Sequence, residues 1–257
     1  MSLFYASTLR KLDLPRDASI LAVCGGASDR EALLECGYSA VTISNLDERM
    51  RGDEFAPYAW SFQDAESLSF PDDSFDYCVV HCGLHHCASP HRGLLEMYRV
   101  ARRGVLICEA RDSTFMRMAI ALKWVPDYEL NAVRANSHRW GGVRNSCVPN
   151  FVYRWTEREV EKTVASFAPY APPQIRFFYG LRVPTERLPF HSSRSLGWIP
   201  AALETAIGLF TRVFPKQGNN FAFYIQKPDD ASLFPWLKSR TEFNDQYRST
   251  KALDSWS

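Results

Sequence analysis

The chain has 257 residues, enough for one α/β domain with insertions, and 46% of them are hydrophobic, as expected of a single sizeable core. Lys plus Arg number 30 against 29 for Asp plus Glu, so no strong field selects nucleic acid or an anionic membrane. No run approaches the roughly 18 uninterrupted apolar residues of a membrane span, and Met1-Ser2-Leu3-Phe4-Tyr5 lacks the basic stretch and apolar core of a leader. The seven cysteines are odd in number and sit mostly in apolar runs. They read as free thiols, which with the missing leader points to a reducing cytoplasm.

The apolar run 19–24 closes on Gly25-Gly26 and reads as a buried parallel strand ending in a tight turn. Ala32, Leu33 and Cys36 are at helical spacing, and Gly37 stops that helix. Residues 40–44 form the next strand. Strand, glycine turn, helix, strand is the opening of a doubly wound sheet. Further strands are expected at 59–62, 77–81 and 104–109, with a helical stripe of Leu94, Leu95, Tyr98 and Ala101 between the last two. Residues 112–155, rich in Arg, Asn, Trp and Gly, break the alternation and read as an inserted, partly helical cap. Thr156 and Glu159 make a capping box for a helix running to about Phe167. A strand over 175–183, a helix with the apolar face Ile199, Leu203, Ile207, Phe210 and Phe214, and a last strand over 221–225 follow. One domain over 1–228 is expected, with a more polar tail over 229–257.

The glycine turn, Cys24-Gly25-Gly26, lets backbone approach a ligand, and the helix behind it offers free N–H groups. His81-Cys82-Gly83-Leu84-His85-His86-Cys87 lies at the carboxyl end of a strand, where open α/β sheets bind ligands, and a histidine there can take a proton near neutral pH. Glu109 and Arg111 end the next strand on the same edge, and Arg111 has the fork geometry to hold an anionic acceptor. Tyr128, Glu129, Asn150 and Arg154 add polar and aromatic groups from the cap; alternatively Arg154 and Glu157 form a surface ion pair. Cys78, Cys82, Cys87, His85, His86 and His91 raise the question of zinc. No Cys-x-x-Cys knuckle is present, so no metal site is expected.

Asp64-Ala65, followed by Phe70-Pro71-Asp72-Asp73-Ser74-Phe75-Asp76 and the apolar run 77–81, resembles the second half of the cofactor domain of class I S-adenosylmethionine (SAM) dependent methyltransferases of the type 11 kind. The resemblance covers about residues 19–110 and, less fully, 221–228. It implies a Rossmann-like, seven-stranded, mostly parallel sheet whose last strand is antiparallel, with SAM as cofactor. Cys24, Gly25 and Gly26 would meet the methionine part and ribose, and Asn45, Leu46 and Asp47 the ribose, through either Asn45 or Asp47. Asp64 and Ala65 would hold the adenine, and His81 and Cys82 would line the methyl-transfer gap. Ala22 and Ser28 depart from the family's usual acid and last glycine.

The implied activity is methyl transfer to a small-molecule or glycan acceptor, with oxygen preferred. His85 or His86 is the expected base, and Glu109 stands behind it. Two rivals remain open. One is a nicotinamide-dependent oxidoreductase, whose Gly-x-Gly-x-x-Gly turn this chain lacks; the other is a methyltransferase-like binding subunit without catalysis.

Overall fold

The computed structural model describes residues 2–50, 52–182 and 198–247. Helix α1 (Ser2–Leu12) precedes the sheet, and the elements that build the site follow. These are β1 (Ile20–Val23), α2 (Ala27–Glu35), β2 (Val41–Asn45), β3 (Ala59–Phe62), β4 (Phe75–His81), α3 (Pro90–Val100) and β5 (Ala101–Arg111). The cap carries α4 (Thr114–Ala121) and α5 (Leu130–Ala135), and the chain returns through a two-residue strand, β6 (Arg154–Trp155). Then come α6 (Glu157–Phe167), β7 (Gln174–Gly180), α7 (Trp198–Val213) and β8 (Asn220–Gln226). A small hairpin, β9 (Leu237–Ser239) and β10 (Glu242–Phe243), lies in the expected tail.

The main sheet runs β3-β2-β1-β4-β5-β8-β7, with β6 attached to the end of β5. The first five strands pair in parallel, and β8 runs antiparallel to both β5 and β7. This is the expected Rossmann-like sheet with its last strand reversed. The order turns outward from β1 to β2 on one side and to β4 on the other, so the crevice between their carboxyl ends is the natural ligand position.

Strand residues alternate between two cores because successive side chains point to opposite faces. Ile20 and Ala22 pack with α1 and α2 around Tyr5, Leu9, Leu33 and Ile43. Leu21 and Val23 face the other way, onto Leu94, Met97, Trp155 and Val160 beneath α3 and α6. Burial on both faces explains why these strands read as continuous apolar runs. The helix over 157–167 starts as expected: Thr156 Oγ1 accepts from the Glu159 N–H at 3.3 Å while Glu159 reaches back to the Thr156 N–H.

Several expectations move. α1 was not foreseen; Tyr5, Leu9 and Leu12, spaced four and three apart, are its buried face. β5 extends two residues beyond Glu109, far enough to pair with β6 at Ala110 and Arg111. The strand expected over 175–183 spans Gln174–Gly180, and its outermost expected residue, Val183, lies outside the described residues. Side chains of Ile199 and Leu203 on the α7 face also lie outside them. No described helix is long and apolar enough to cross a membrane.

Candidate functional site

A cavity of about 440 Å³ opens at the carboxyl ends of β1, β2 and β4. Cys24 from the first turn, Asn45-Leu46-Asp47 after β2, Asp64-Ala65 after β3, and Cys82 and His86 after β4 line it. Gly25, Gly26 and His81 stand beside this wall without lining it. From the cap come Asn136, Gly141, Gly142, Arg144 and Asn145, which sequence reasoning left unassigned. Arg49, Met50 and Glu66 were also left unassigned.

The first turn is held from both sides. The Gly25 N–H donates to Ser44 O at 2.8 Å, and the Gly26 N–H donates to Asp29 Oδ2 at 2.9 Å. A methyl group at Gly25 would lie 2.9 Å from Ile43 Cγ2, whereas one at Gly26 meets nothing within 4 Å. Gly25 therefore serves strand packing and Gly26 leaves open space. Gly83 is tighter still: a Cβ there would stand 2.4 Å from Cys24 Cβ, so the turns after β1 and β4 touch through that glycine. His81 is stacked on Tyr5 with ring centroids 4.7 Å apart and packs beneath the turn, with Nδ1 3.7 Å from Asp29.

Asn45 spends both ends of its amide on backbone. Nδ2 donates to Gly25 O at 2.9 Å, and Oδ1 accepts the Asp47 N–H at 3.1 Å. Asp47 grips Arg49 through two parallel bonds, Nε to Oδ1 at 2.8 Å and Nη2 to Oδ2 at 2.6 Å. That pairing with Arg49 holds the Asp47 carboxyl below its ordinary range. Arg49 also reaches Asn136 of the cap at 3.4 Å and lies over the Trp140 ring at 5.1 Å. Asp64 makes an Asx turn, accepting the Glu66 N–H at 2.9 Å, and its other oxygen takes Arg144 Nη2 at 2.6 Å. The buried Glu66 carboxylate accepts the Ala88 and Ser89 N–H groups ahead of α3, at 2.9 Å each.

At the inner end lies a second group. Glu109 is fully buried; Oε1 accepts the Leu84 N–H at 2.7 Å and Oε2 holds His85 Nδ1 at 2.7 Å. His85 Nε2 is 3.3 Å from Glu129 Oε2 of the cap, and His86 Nε2 is 3.5 Å from the same oxygen. The two imidazole rings lie 4.5 Å apart. Burial alone would keep His85 neutral, but the two carboxylates outweigh it and push its pKa up to about 10. Glu129, bonded to His85, falls to about 2. His86 moves the other way, lowered by burial and by the positive His85 beside it. Asn150, completely buried, steadies Glu129: its O accepts the Glu129 N–H at 3.0 Å, and Nδ2 lies 3.4 Å from Oε2.

The other expected substrate residues lie elsewhere. Arg111 is buried between the rings of Tyr179 and Phe221 and bonds Glu157 at 2.8 Å and Lys216 O at 2.6 Å. It clamps the β5–β8 edge and does not line the cavity. Arg154 does not pair with Glu157; it bonds Val152 O and Pro126 O and lies 3.5 Å from Asp127. Tyr128 is mostly exposed and stands edge-on to Phe151 at 5.6 Å.

Comparison with known proteins places this geometry. Residues 21–108 match the methyltransferase domain family model. A demethylmenaquinone methyltransferase of Clavibacter sepedonicus is 29% identical over 117 residues, 42% of this chain and 47% of that protein. The chain spans about half the length of the curated relatives it matches. Among solved structures, the YcgJ protein of Bacillus subtilis superposes with a TM-score of 0.56 at 14% identity, covering 89% of this chain and 100% of that one. A SAM-dependent methyltransferase of Mesorhizobium loti gives 0.52 at 16% identity, covering 86% and 96%. Residues 21–108 thus resemble a methyltransferase domain, and the chain as a whole shares the Rossmann-like fold of solved SAM-dependent methyltransferases. SAM is the cofactor of such a domain.

Proposed function

We propose that this chain transfers the methyl group of SAM to a small-molecule acceptor through an oxygen-bearing site on that molecule. The observation that carries the reading is the cavity itself. Four successive β-strand ends contribute its walls, and two carboxylates, Asp47 and Asp64, stand at its rim. Adenine fits beside Asp64 and Ala65, with its amino group facing a carboxylate oxygen. Ribose fits beside Asp47, because Asn45 already spends its amide on backbone. The methionine part then lies toward Cys24, Gly26 and Cys82, and the sulfonium points toward His86.

Arg49 and Arg144 occupy those two carboxylates, and both guanidinium groups are about half exposed, at 46% and 56%. Exposed ion pairs are weak, so bound cofactor can displace or share these partners. In the transfer, an acceptor lone pair attacks the methyl carbon while the carbon–sulfur electron pair returns to sulfur, leaving S-adenosylhomocysteine (SAH). The sulfonium supplies the electrophile, so the protein's main task is alignment. His85, locked between two carboxylates, serves as a positive group beside the acceptor, and His86 is the ring that reaches the cavity wall.

The curated relatives are named for methylating demethylmenaquinone, which supports a quinone-type ring as acceptor. Labelled SAM should be incubated with reduced quinones, phenols and glycans, and the methylated atom located by NMR of the product. Transfer to a quinol or phenol is the expected result. SAH binding without transfer to any of the panel favours the non-catalytic binding subunit. Failure of the folded protein to bind SAH overturns the reading altogether.

A further inference from the structure

We propose that His85 Nε2, His86 Nε2 and Glu129 Oε2 form a binding site for one divalent transition-metal ion of the zinc type, at the inner wall of the cavity. The inference deepens the methyltransferase reading and rests on it only for the ion's chemical role.

The three atoms converge to within 4.8 Å of one another. The Glu129 oxygen lies 3.3 Å from one ring nitrogen and 3.5 Å from the other. Zinc–nitrogen and zinc–oxygen bonds of about 2.0–2.1 Å put tetrahedral ligand atoms about 3.3 Å apart, whereas octahedral neighbours would be about 2.9 Å apart. The two distances to the Glu129 oxygen fit the tetrahedral case. By contrast, His85 Nδ1 and Glu109 lie at 2.7 Å, the distance of a direct hydrogen bond. Metal-bound histidines characteristically give their second nitrogen to a carboxylate, which fixes the ring and leaves the first nitrogen's lone pair toward the ion. Glu109 does this for His85, and its other oxygen is anchored on the Leu84 N–H. Asn150 Nδ2 donates at 3.4 Å to Glu129 Oε2, the proposed ligand oxygen itself, and so fixes its position.

Charge agrees. Glu109 and Glu129 bring two carboxyl groups to a cluster whose inner member is fully buried, and among the described residues no lysine or arginine bonds either of them. A divalent ion between the three atoms would answer those carboxylates. Two histidines and one carboxylate leave a fourth position open, the arrangement of catalytic zinc. Because His86 lines the cavity, that position lies on the acceptor's side. There the ion would take a hydroxyl oxygen of the acceptor, lower its pKa and release the proton to water.

Local spacing raises His85 and His86 as candidates but rests the zinc question on cysteine knuckles, which are absent. The ligands come instead from adjacent histidines after β4 and a glutamate of the distant cap.

Zn²⁺ and Co²⁺ titrated into metal-stripped full-length protein test the site by calorimetry and visible absorption. One ion per chain is expected, with the visible bands of tetrahedral cobalt and no sulfur-to-cobalt charge transfer. His86→Ala and Glu129→Gln should weaken binding at least 100-fold, and Glu109→Gln by about 10–100-fold, the size of a lost supporting carboxylate. Far-ultraviolet dichroism shows whether each variant is folded; Glu129→Gln, at a partly exposed side chain of the cap, is the variant that keeps the test valid if Glu109→Gln does not fold. Absence of stoichiometric binding, binding indifferent to His86→Ala and Glu129→Gln, or a thiolate band placing the ion on Cys24 or Cys87 would each overturn the proposal. SAH affinity measured on the metal-free protein separates the two readings: SAH binding without metal sinks only the metal site, and metal without SAH sinks only the cofactor assignment.

Discussion

Asp64 offers the sharpest test of how the cofactor lies. In Asp64→Asn the Asx turn survives, because Oδ1 can still accept the Glu66 N–H. What changes is the charge facing the adenine amino group. A hydrogen bond to a charged group contributes about 1.5–3 kcal/mol and a neutral one about 0.5–1.5. The difference of about 1–1.5 kcal/mol corresponds to a roughly 5–12-fold weaker SAH complex. A second effect opposes it. The substitution also frees Arg144, whose half-exposed pairing with Asp64 competes with the ligand and is worth about 0.2–1 kcal/mol. The net expectation, about 0–1.3 kcal/mol, is a loss of up to about ninefold, roughly threefold at the midpoint.

Calorimetry with SAH measures that loss, and two companions fix its cause. Arg144→Ala removes the competitor alone and should leave SAH affinity equal or tighter, the opposite sign. S-inosylhomocysteine carries a carbonyl where SAH has the amino group, so it meets the carboxylate acceptor to acceptor. The wild type should reject it, and Asp64→Asn, whose amide can donate, should narrow the preference. SAH affinity within twofold of wild type in Asp64→Asn, together with an unchanged preference between the two ligands, would refute adenine binding at this loop.

Gly83→Ala should lower both stability and SAH affinity, since the new methyl would drive Cys24 out of the cavity wall; overpacking of this kind costs about 1–3 kcal/mol, read by denaturant unfolding. Gly26→Ala meets open space, so its melting temperature should hold while SAH affinity falls, and unchanged affinity would mean that no ligand passes over that turn. Arg111→Met strands the largely buried Glu157 carboxylate, at about 3–5 kcal/mol for a broken buried pair less what Tyr179 and Lys216 retain. A fall of several degrees in melting temperature with SAH affinity preserved is expected. Asp47 has a carboxyl pKa lowered in the folded state, so its pairing with Arg49 is complete above the unfolded value near 4 and is lost as pH falls through the lower folded one. Hydrogen exchange around Asn136 and Trp140 should therefore rise below about pH 4.

The sheet was legible because its strands are buried on both faces and its first turn needs glycine. The residues that carried the family resemblance are a different matter. Asp72 and Asp73 bond Arg99 and Lys227, Asp76 takes the Ser19 N–H and hydroxyl, and Arg99 also ties down Leu68 O and Phe70 O. The string identifies the domain by stapling the approach to β4, while Asp64, Ala65 and Glu66 at its head reach the cavity. Arg111 was placed on the ligand edge because it follows a strand. A strand end has two flanks, and pairing with β8 turns this one toward Tyr179 and Phe221. Arg144 and Glu129 could not be found by local spacing: their partners Asp64 and His85 are distant in sequence and meet them only once the cap has folded over.

On the proposed reading, the geometry of the cap's anchors explains why acceptor chemistry would fall to it. β5 carries the chain to the carboxyl edge and ends at Arg111; β6 brings it back, pairing Arg154 with Ala110 and Trp155 with Arg111. Both ends of the insertion are thereby fastened beside one another at the edge where ligands bind, and Trp155 is sunk completely in the core beneath α6. Everything between must project over the crevice. The strand ends that meet the cofactor belong to the sheet and are set by its packing, whereas Glu129, Arg144 and Asn145 hang from the insertion and can change without disturbing a single strand. Exchange of residues 112–153 for the corresponding segment of a related methyltransferase should then retain SAH binding and alter the acceptor. A swapped protein that folds but no longer binds SAH would mean that cap and cofactor site are one unit, with Arg49, Asn136 and Trp140 as the seam between them.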